Sequence, residues 1–452
     1  MSIALDAIRE CLEGAIPAVI STCSVDGTPN VSHLSQVQYV DGGHVALSYQ
    51  FFNKTRQNVL RDPRATVLVT HPATAACYRL KLRYLRTETS GPLFERMKAK
   101  LAGIASHTGM SGIFRLLGAD VYAVVEVEAV PGATLPARPP RRSMLSALRV
   151  AAESMCAAKA LDELLDRTLE VLDTQLEIHH SMLLMLDTSG HLYTVASRGY
   201  AASGVGSEIA LGQGVIGVAA RERTPIRIGH MTAEYAYSRA IRESAEQGGM
   251  AGMLDVEIPL PGLPESRSQL AVPILVFERL LGVLYVESDR NLRFSYDDED
   301  ALVTLAGQLG GLMHLLQNTA ESDEPVRRSE RTADVKGSPV VVRHYAENNS
   351  VFLDEDYLIK GVAGAIFWTL VTDYANDGRT VFSNRELRLD PRIRLPDVGD
   401  NLEARLILLQ RRLTERDACV RIEKTGRGRF CLRLNRPLEL DDIPIPVGSR
   451  RG

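Results

Sequence analysis

Apolar and polar residues alternate along the first third of the chain. IPAVISTC, VSHLSQVQYV, HVALSYQF, ATVLVTH and YRLKLRYLRTET each read as strands, with turns at Asp26–Pro29 and Asp41–Gly43. Two helical patterns interrupt them, KTRQNVLRD and ERMKAKLAGIAS (Glu95–Ser106), before VYAVVEVEAVPG closes the sheet. Short antiparallel strands in a meander with one or two helices predict a small barrel. The period then changes. From Met144 to Leu176 apolar residues recur every three or four positions, which predicts one long helix. Strands SMLLMLD and LYTVASRG flank a turn at Thr188–His191. A glycine-rich GQGVIGVAAR follows, and QLAVPILVFERLLGVLYVESD reads as two strands turning near Glu278. Ser295–Asp298 is a capping box opening a helix to about Gln317, and the whole segment is an α+β layer plan. The last segment predicts an apolar helix over Tyr357–Tyr374, holding the sole Trp368. A short helix capped by Ser383 and ended by Pro391 comes next, then a longer one capped by Asp400, then a hairpin turning at Thr425–Gly428.

Two stretches lack a packing pattern: the proline- and arginine-dense Pro131–Arg142 and the mixed-charge Thr319–Lys336. They divide 452 residues into three segments, each long enough for its own core. No apolar run is long enough to span a membrane, and the N-terminal residues lack the layout of a signal peptide. Cys11, Cys23, Cys77, Cys156, Cys419 and Cys431 form no CxxC pair, which argues for reduced thiols in a cytoplasmic protein rather than disulfides or zinc, and no metal site is expected.

Charge changes the picture of the last segment. The chain carries a formal −4, yet Arg379–Arg436 holds fifteen Arg/Lys against eight Asp/Glu, an excess of seven. On the helix from Asn401, Leu402, Leu406, Leu409 and Leu413 share one face. Arg405, Arg412 and Arg416 are expected to project from the other, with Gln410 and Arg411 between. The hairpin adds Lys424, Arg427 and Arg429. A leucine-buried helix with outward arginines suits a major groove, and a basic hairpin suits phosphates or the minor groove. A solvated helix face and an idle basic hairpin are the alternative. NLEARLILLQRRL (Asn401–Leu413) with IEKTGRGRF (Ile422–Phe430) resembles the recognition helix and wing of OmpR/PhoB-type winged-helix regulators, and FSNREL (Phe382–Leu387) resembles the helix before it. The RGRF turn is one residue shorter than the family's wing sequence. The resemblance implies a winged helix whose partner is DNA, although winged helices also serve as protein contacts.

The middle segment resembles a GAF domain through GQGVIGVAARERTPI (Gly212–Ile226), LAVPILVFERLLGVLYVES (Leu270–Ser288) and FSYDDEDALVTLAGQLG (Phe294–Gly310). Gly212, Gly214 and Gly217 would let the loop turn tightly and bring a helix start close to the sheet. The resemblance implies sensing of a small-molecule effector, or none, and a homodimer through the terminal helices. His179, His180, His191 and His230 are scattered and mark no ligand site.

The first segment resembles the pyridoxamine-phosphate-oxidase-like, FMN-binding split barrel. DGTPNVSHLSQV (Asp26–Val37), HVALSYQF (His44–Phe51) and FNKTRQNVLRDPRATVLV (Phe52–Val69) carry the likeness. The resemblance implies that Asn53, Lys54, Thr55 and Arg56 hold the FMN phosphate at a helix start. His33, Leu34, Ser35 and Gln36, with Ser48 and Gln50 opposite, would flank the ring system. Ser32 stands where oxidases of the family carry a phosphate-binding arginine.

The expected architecture is multidomain α+β: a split β-barrel over 1–132, a GAF α/β sandwich over 143–318, a linker over 319–343 and a winged helix over 344–440. The expected function is a one-component sensory transcriptional regulator. A flavin-dependent oxidoreductase or haem-handling split-barrel enzyme with a regulatory GAF domain is one alternative; a non-enzymatic signalling scaffold is the other.

Overall fold

The computed structural model describes residues 3–12, 16–50, 53–107, 116–136, 143–229, 258–319, 337–393, 402–426 and 428–444, with backbone only at 53, 102–107 and 318–319. Arg427, Asp400, His230 and the side chain of Asn53 lie outside the described residues. Among those described, no helix is long and apolar enough to cross a membrane.

A 3-10 helix, Leu5–Leu12, precedes seven antiparallel strands: β1 (Ala18–Cys23), β2 (Pro29–Leu34), β3 (Val37–Asp41), β4 (His44–Tyr49), β5 (Arg64–Thr70), β6 (Cys77–Glu88) and β7 (Gly118–Val130). Helix α1 (Asn53–Arg61) joins β4 to β5, and α2 (Pro92–His107) joins β6 to β7. The sheet order is β2-β1-β5-β6-β7-β4-β3. This corrects the meander reading at one place. VSHLSQVQYV is two strands at opposite edges of the sheet, and only Ser35 and Gln36 separate them. A two-residue link between opposite edges requires the sheet to roll up, so the alternation runs unbroken through a corner where pairing partners change.

The middle unit opens with α3 (Met144–Cys156) and α4 (Leu161–Leu176). The single long helix read from the sequence is therefore broken at 157–160. Ser143 caps α3, whereas Ala160 at the start of α4 offers no capping side chain. Six antiparallel strands follow: β8 (His180–Leu186), β9 (His191–Arg198), β10 (Glu208–Ala210), β11 (Ile226–Ile228), β12 (Ser268–Val276) and β13 (Arg279–Ser288), ordered β10-β9-β8-β13-β12-β11. Helix α5 (Gly214–Glu222) lies between β10 and β11, and α6 (Tyr296–Thr319) ends the unit. The period-two pattern sorts side chains onto two faces. Leu183, Met185, Val272 and Leu284 face α3, α4 and α6; Met182, Leu184, Ala271 and Val283 face α5. Gly212 holds φ +85, and a Cβ on Gly217 would stand 2.4 Å from the Ala210 carbonyl oxygen, so the close helix–strand approach needs glycine. The Ser295 amide and hydroxyl both reach Asp298, whose amide returns a bond to the Ser295 hydroxyl, closing the capping box.

The C-terminal unit begins with β14 (Val340–Tyr345), inside the stretch read as linker. Then come β15 (Ser350–Leu353) and β16 (Asp356–Ile359), α7 (Gly361–Asp377), β17 (Val381–Ser383), α8 (Asn384–Leu389), α9 (Leu402–Glu415), β18 (Val420–Gly426), β19 (Arg429–Leu434) and β20 (Leu438–Ile443). The helix read from Tyr357 starts four residues later, because DYLI pairs as a strand first. One sheet runs β16-β15-β14-β20 with a parallel β14–β20 pair, and a second runs β17-β19-β18. Trp368 stacks on His344 at 4.7 Å, clasping α7 to the first sheet.

The three units meet on the middle one. Helix α2 of the barrel packs on α5 and β11, and its Ala99 joins the apolar cluster there. Helix α9 packs on α4 and β9, and one apolar cluster runs continuously from α3, α4 and α6 into the C-terminal unit.

Candidate functional site

Three places bear on function, and the first is the start of α1. Lys54 is exposed there, and Thr55 is buried with its hydroxyl taken by Asn30 Nδ2 at 2.9 Å and Ser32 Oγ at 3.2 Å. Ser32 thus points at the helix start, where a longer basic side chain would meet an anion. Arg56 is not available in this arrangement. It is bonded to Asp120 at 2.8 Å and to Thr87, with its guanidinium 4.2 Å above the Tyr49 ring. The space beside Ser48, Thr55, Arg56 and Asp120 is about 20 Å³, room for one water.

On the ring side, Ser48, Gln36 and Gln50 are buried, the Ser48 amide donates to the Gln36 carbonyl, and Gln50 Nε2 donates to Ser48 Oγ. The side-chain oxygens of Gln36 and Gln50 have no hydrogen-bond partner. Buried unpaired acceptors are costly and mark a place where a donor is wanted. His33 is exposed, Ser35 half-buried, and Leu34 is a core residue packed with Ile20 and Val37. The residues fit a hydrogen-bonding ring edge better than they fit a phosphate, because Asp120 neutralises the half-buried Arg56.

The second place is the barrel's joint with the middle unit. Glu299 accepts from Arg96 at 2.6 Å and from Arg227 at 2.7 Å. Burial pushes the Glu299 carboxyl up, but Arg227 and Arg96 outweigh it and hold it below the usual range. Tyr296 takes a hydrogen bond from Gln38, and the cations of Arg227, Arg9 and Lys100 lie 4.4, 4.8 and 5.3 Å from its ring centre. Arg9 also pairs with Asp300 at 2.7 Å. The sequence reading missed this network, since its hydrogen-bonded partners stand 72 to 291 residues apart and share no motif.

The third place is α9. The leucine face is buried as expected, but the arginine face is not turned to solvent. Arg405 and Arg412 are only 4% and 6% exposed. The Arg405 guanidinium lies 3.8 Å over the Tyr193 ring and 3.6 Å from Asp187, both of the middle unit. Arg412 donates to the Leu358 carbonyl and pairs with Glu415, which in turn accepts from Ser203. Burial pushes the Arg412 guanidinium down, with Glu415 opposing. Arg405 Nε and Arg412 Nη2 are buried without partners. Arg411 pairs with Asp166 of α4 at 2.7 Å and reaches the Val195 carbonyl, and Lys424 pairs with Asp162 of α4 at 2.5 Å. Arg416 is exposed; Gln410 and Arg429 line a cleft between α9 and the hairpin. Helical periodicity reports two faces, and here a second partner covers the polar one.

A pyridoxamine 5'-phosphate oxidase model matches residues 4–123 and a GAF domain model matches 160–313. Among solved structures, the GAF domain of an Acinetobacter phosphoenolpyruvate-protein phosphotransferase is 21% identical, covering 40% of this chain and 97% of that one with a TM-score of 0.31. Free methionine-R-sulfoxide reductase of Neisseria meningitidis is 19% identical, covering 41% and 99% with a TM-score of 0.30. An FMN-binding protein of Syntrophomonas wolfei is 16% identical, covering 28% and 86% with a TM-score of 0.24. Among curated protein sequences, none matches the chain. The chain thus carries an N-terminal domain of the pyridoxamine 5'-phosphate oxidase type, followed by a GAF domain.

Proposed function

We propose that this chain is a one-component sensory regulator whose C-terminal unit is a winged helix that binds DNA when released from the GAF domain. The observation that carries the reading is the pairing at α9. Arg411 and Lys424, two of the side chains expected to meet DNA, are held by Asp166 and Asp162 of α4. Carboxylates here occupy the place of phosphates, so docking on the GAF domain and docking on DNA exclude each other. The arrangement described is the closed one, and a signal acts by changing the balance between closed and open states. The unpartnered nitrogens of Arg405 and Arg412 favour release, because water would satisfy both.

The GAF domain's terminal helices are the proposed dimer contact, supported by exposed Leu145 on α3 and Val303 and Leu315 on α6. Flavin is the cofactor class that the first domain favours, through the unpaired acceptors at Gln36 and Gln50, and its hold is weak at the phosphate end. Binding of the full chain to random duplex DNA across a salt series tests the central reading. It predicts weak, salt-sensitive binding that falls further in Arg411→Ala/Lys424→Ala. Binding that ignores both salt and these changes would sink it.

A further inference from the structure

A cleft of about 230 Å³ opens where the GAF domain meets the C-terminal unit. Its floor is apolar: Leu316 at the end of α6, Leu161 at the start of α4, Leu406 and Ile407 on α9, Ile422 and Phe430 on the hairpin. Gly426 and Gly428 keep one rim low. Among the described residues, the charged lining is Lys159, Lys424, Arg429 and Glu403, with Asn384 and Gln410 beside them. Lys424 is shared between Asp162 at 2.5 Å and Glu403 at 3.9 Å. Lys159 is exposed and forms no ion pair among the described residues. The α4 N-terminus reaches the same cleft at Ala160 and Leu161, but its first turn carries Asp162 and Glu163, and the Glu163 carboxylate accepts from the Lys159 amide at 2.8 Å, so the helix end adds no free positive charge.

We propose that this cleft binds a small amphipathic anion, a single carboxylate, sulfonate or phosphate head on an apolar body, and that occupancy strengthens the closed state. The apolar body covers Leu406, Ile407 and Phe430 while the head sits at the rim by Lys159 and Arg429. Glu403 faces the same space, and Lys424 stands 3.9 Å from its carboxylate, between it and Asp162. Since residues of both units line the cleft, an occupant binds the closed arrangement and not the open one, and shifts the balance toward it by mass action. The site is separate from any pocket on the α5 face of the GAF sheet. The effect on DNA rests on the function proposed above; the binding itself does not.

The test uses the full chain without DNA, titrated with 8-anilinonaphthalene-1-sulfonate and followed by its fluorescence. The expected result is a saturable site that weakens as salt rises. Ile407→Trp fills the floor and should weaken it at least tenfold; Lys159→Glu, an exposed change, should weaken it severalfold and flatten its salt dependence. Amide exchange across α9 should slow when the probe saturates. Unchanged affinity in Ile407→Trp with an intact circular dichroism spectrum overturns the proposal. If Ile407→Trp does not fold, unchanged affinity in Lys159→Glu overturns it equally. Saturation without slower exchange in α9 overturns the claim on the closed state.

Discussion

The two joints of the GAF domain are built on different principles. The barrel is fastened by a buried carboxylate, Glu299, that two arginines satisfy from opposite units, with Tyr296 enclosed by three cations. The C-terminal unit is fastened by a continuous apolar core whose rim pairs, Asp162–Lys424 and Asp166–Arg411, remain in contact with water. It also leaves a cleft of about 230 Å³ and two unpartnered guanidinium nitrogens. A buried, satisfied ion network resists being opened, since separating it strands charges. Exposed pairs can separate into water at little cost, so the apolar core carries most of the second joint's strength. On the proposed function, the first joint holds barrel and GAF domain together and the second is the one that releases.

The largest effect should come from the first joint. Glu299→Ala leaves Arg96 and Arg227 without their shared anion and should cost about 3–5 kcal/mol of stability, read by urea unfolding. The pH dependence has a definite sign. Because Glu299 is held below its unfolded value, it contributes stability above roughly pH 4.3 that is lost as pH falls through its folded value. Glu299→Gln should lack that acid-side loss, and an unchanged slope would show that the network does not hold the joint.

At the second joint, Asp162→Lys with Asp166→Lys removes two exposed pairs and sets like charges against Lys424 and Arg411. With roughly 0.5–1 kcal/mol per exposed pair, the proposed open state should gain about tenfold, and DNA affinity with it if the regulator reading holds. Fluorescence anisotropy on a labelled duplex reads this. A double variant that stays closed by small-angle scattering would mean the apolar core alone decides docking.

Much of this contrast was not legible in the sequence. The alternation that marks β2 and β3 continues through Ser35–Gln36, and nothing local shows that these strands end at opposite edges. The apolar stripe of 144–176 crosses the break at 157–160 because α3 and α4 bury the same side against the same core. The leucines of α9 were readable as a buried face. The fate of Arg405 and Arg412 was not, because a period of 3.6 says that two faces differ and not what meets the second one. Capping chemistry, by contrast, is local, so the boxes at Ser295 and Ser383 were readable from their spacing alone.

A smaller, opposite-signed effect concerns the barrel. Ser32→Arg with Asp120→Asn restores a cation at the α1 start and frees Arg56 from its carboxylate. FMN affinity should rise severalfold to about tenfold, as expected of one or two charge-assisted bonds to phosphate, measured by equilibrium dialysis. No gain would mean that this helix start is not the phosphate end.

The smallest expected change lies at Glu403. Burial and Asp162 of α4 raise its folded value above the unfolded one, against Lys424, so ionisation at neutral pH opposes the closed state. That opposition is fully present above the folded value and vanishes as pH falls below the unfolded one, so acidification should tighten the joint. Glu403→Gln keeps the shape and removes the charge. Amide exchange in α9 should therefore be slower in the variant at neutral pH, and should converge with that of the unaltered chain on the acid side once intrinsic exchange is corrected for. The Glu299 network loses stability further down, from the unfolded value through its lowered folded one, so the two joints should respond to acid with opposite signs in adjoining pH ranges. If α9 instead loosens together with the barrel joint as pH falls, the two joints are one cooperative unit and the division between a fixed body and a releasable one fails.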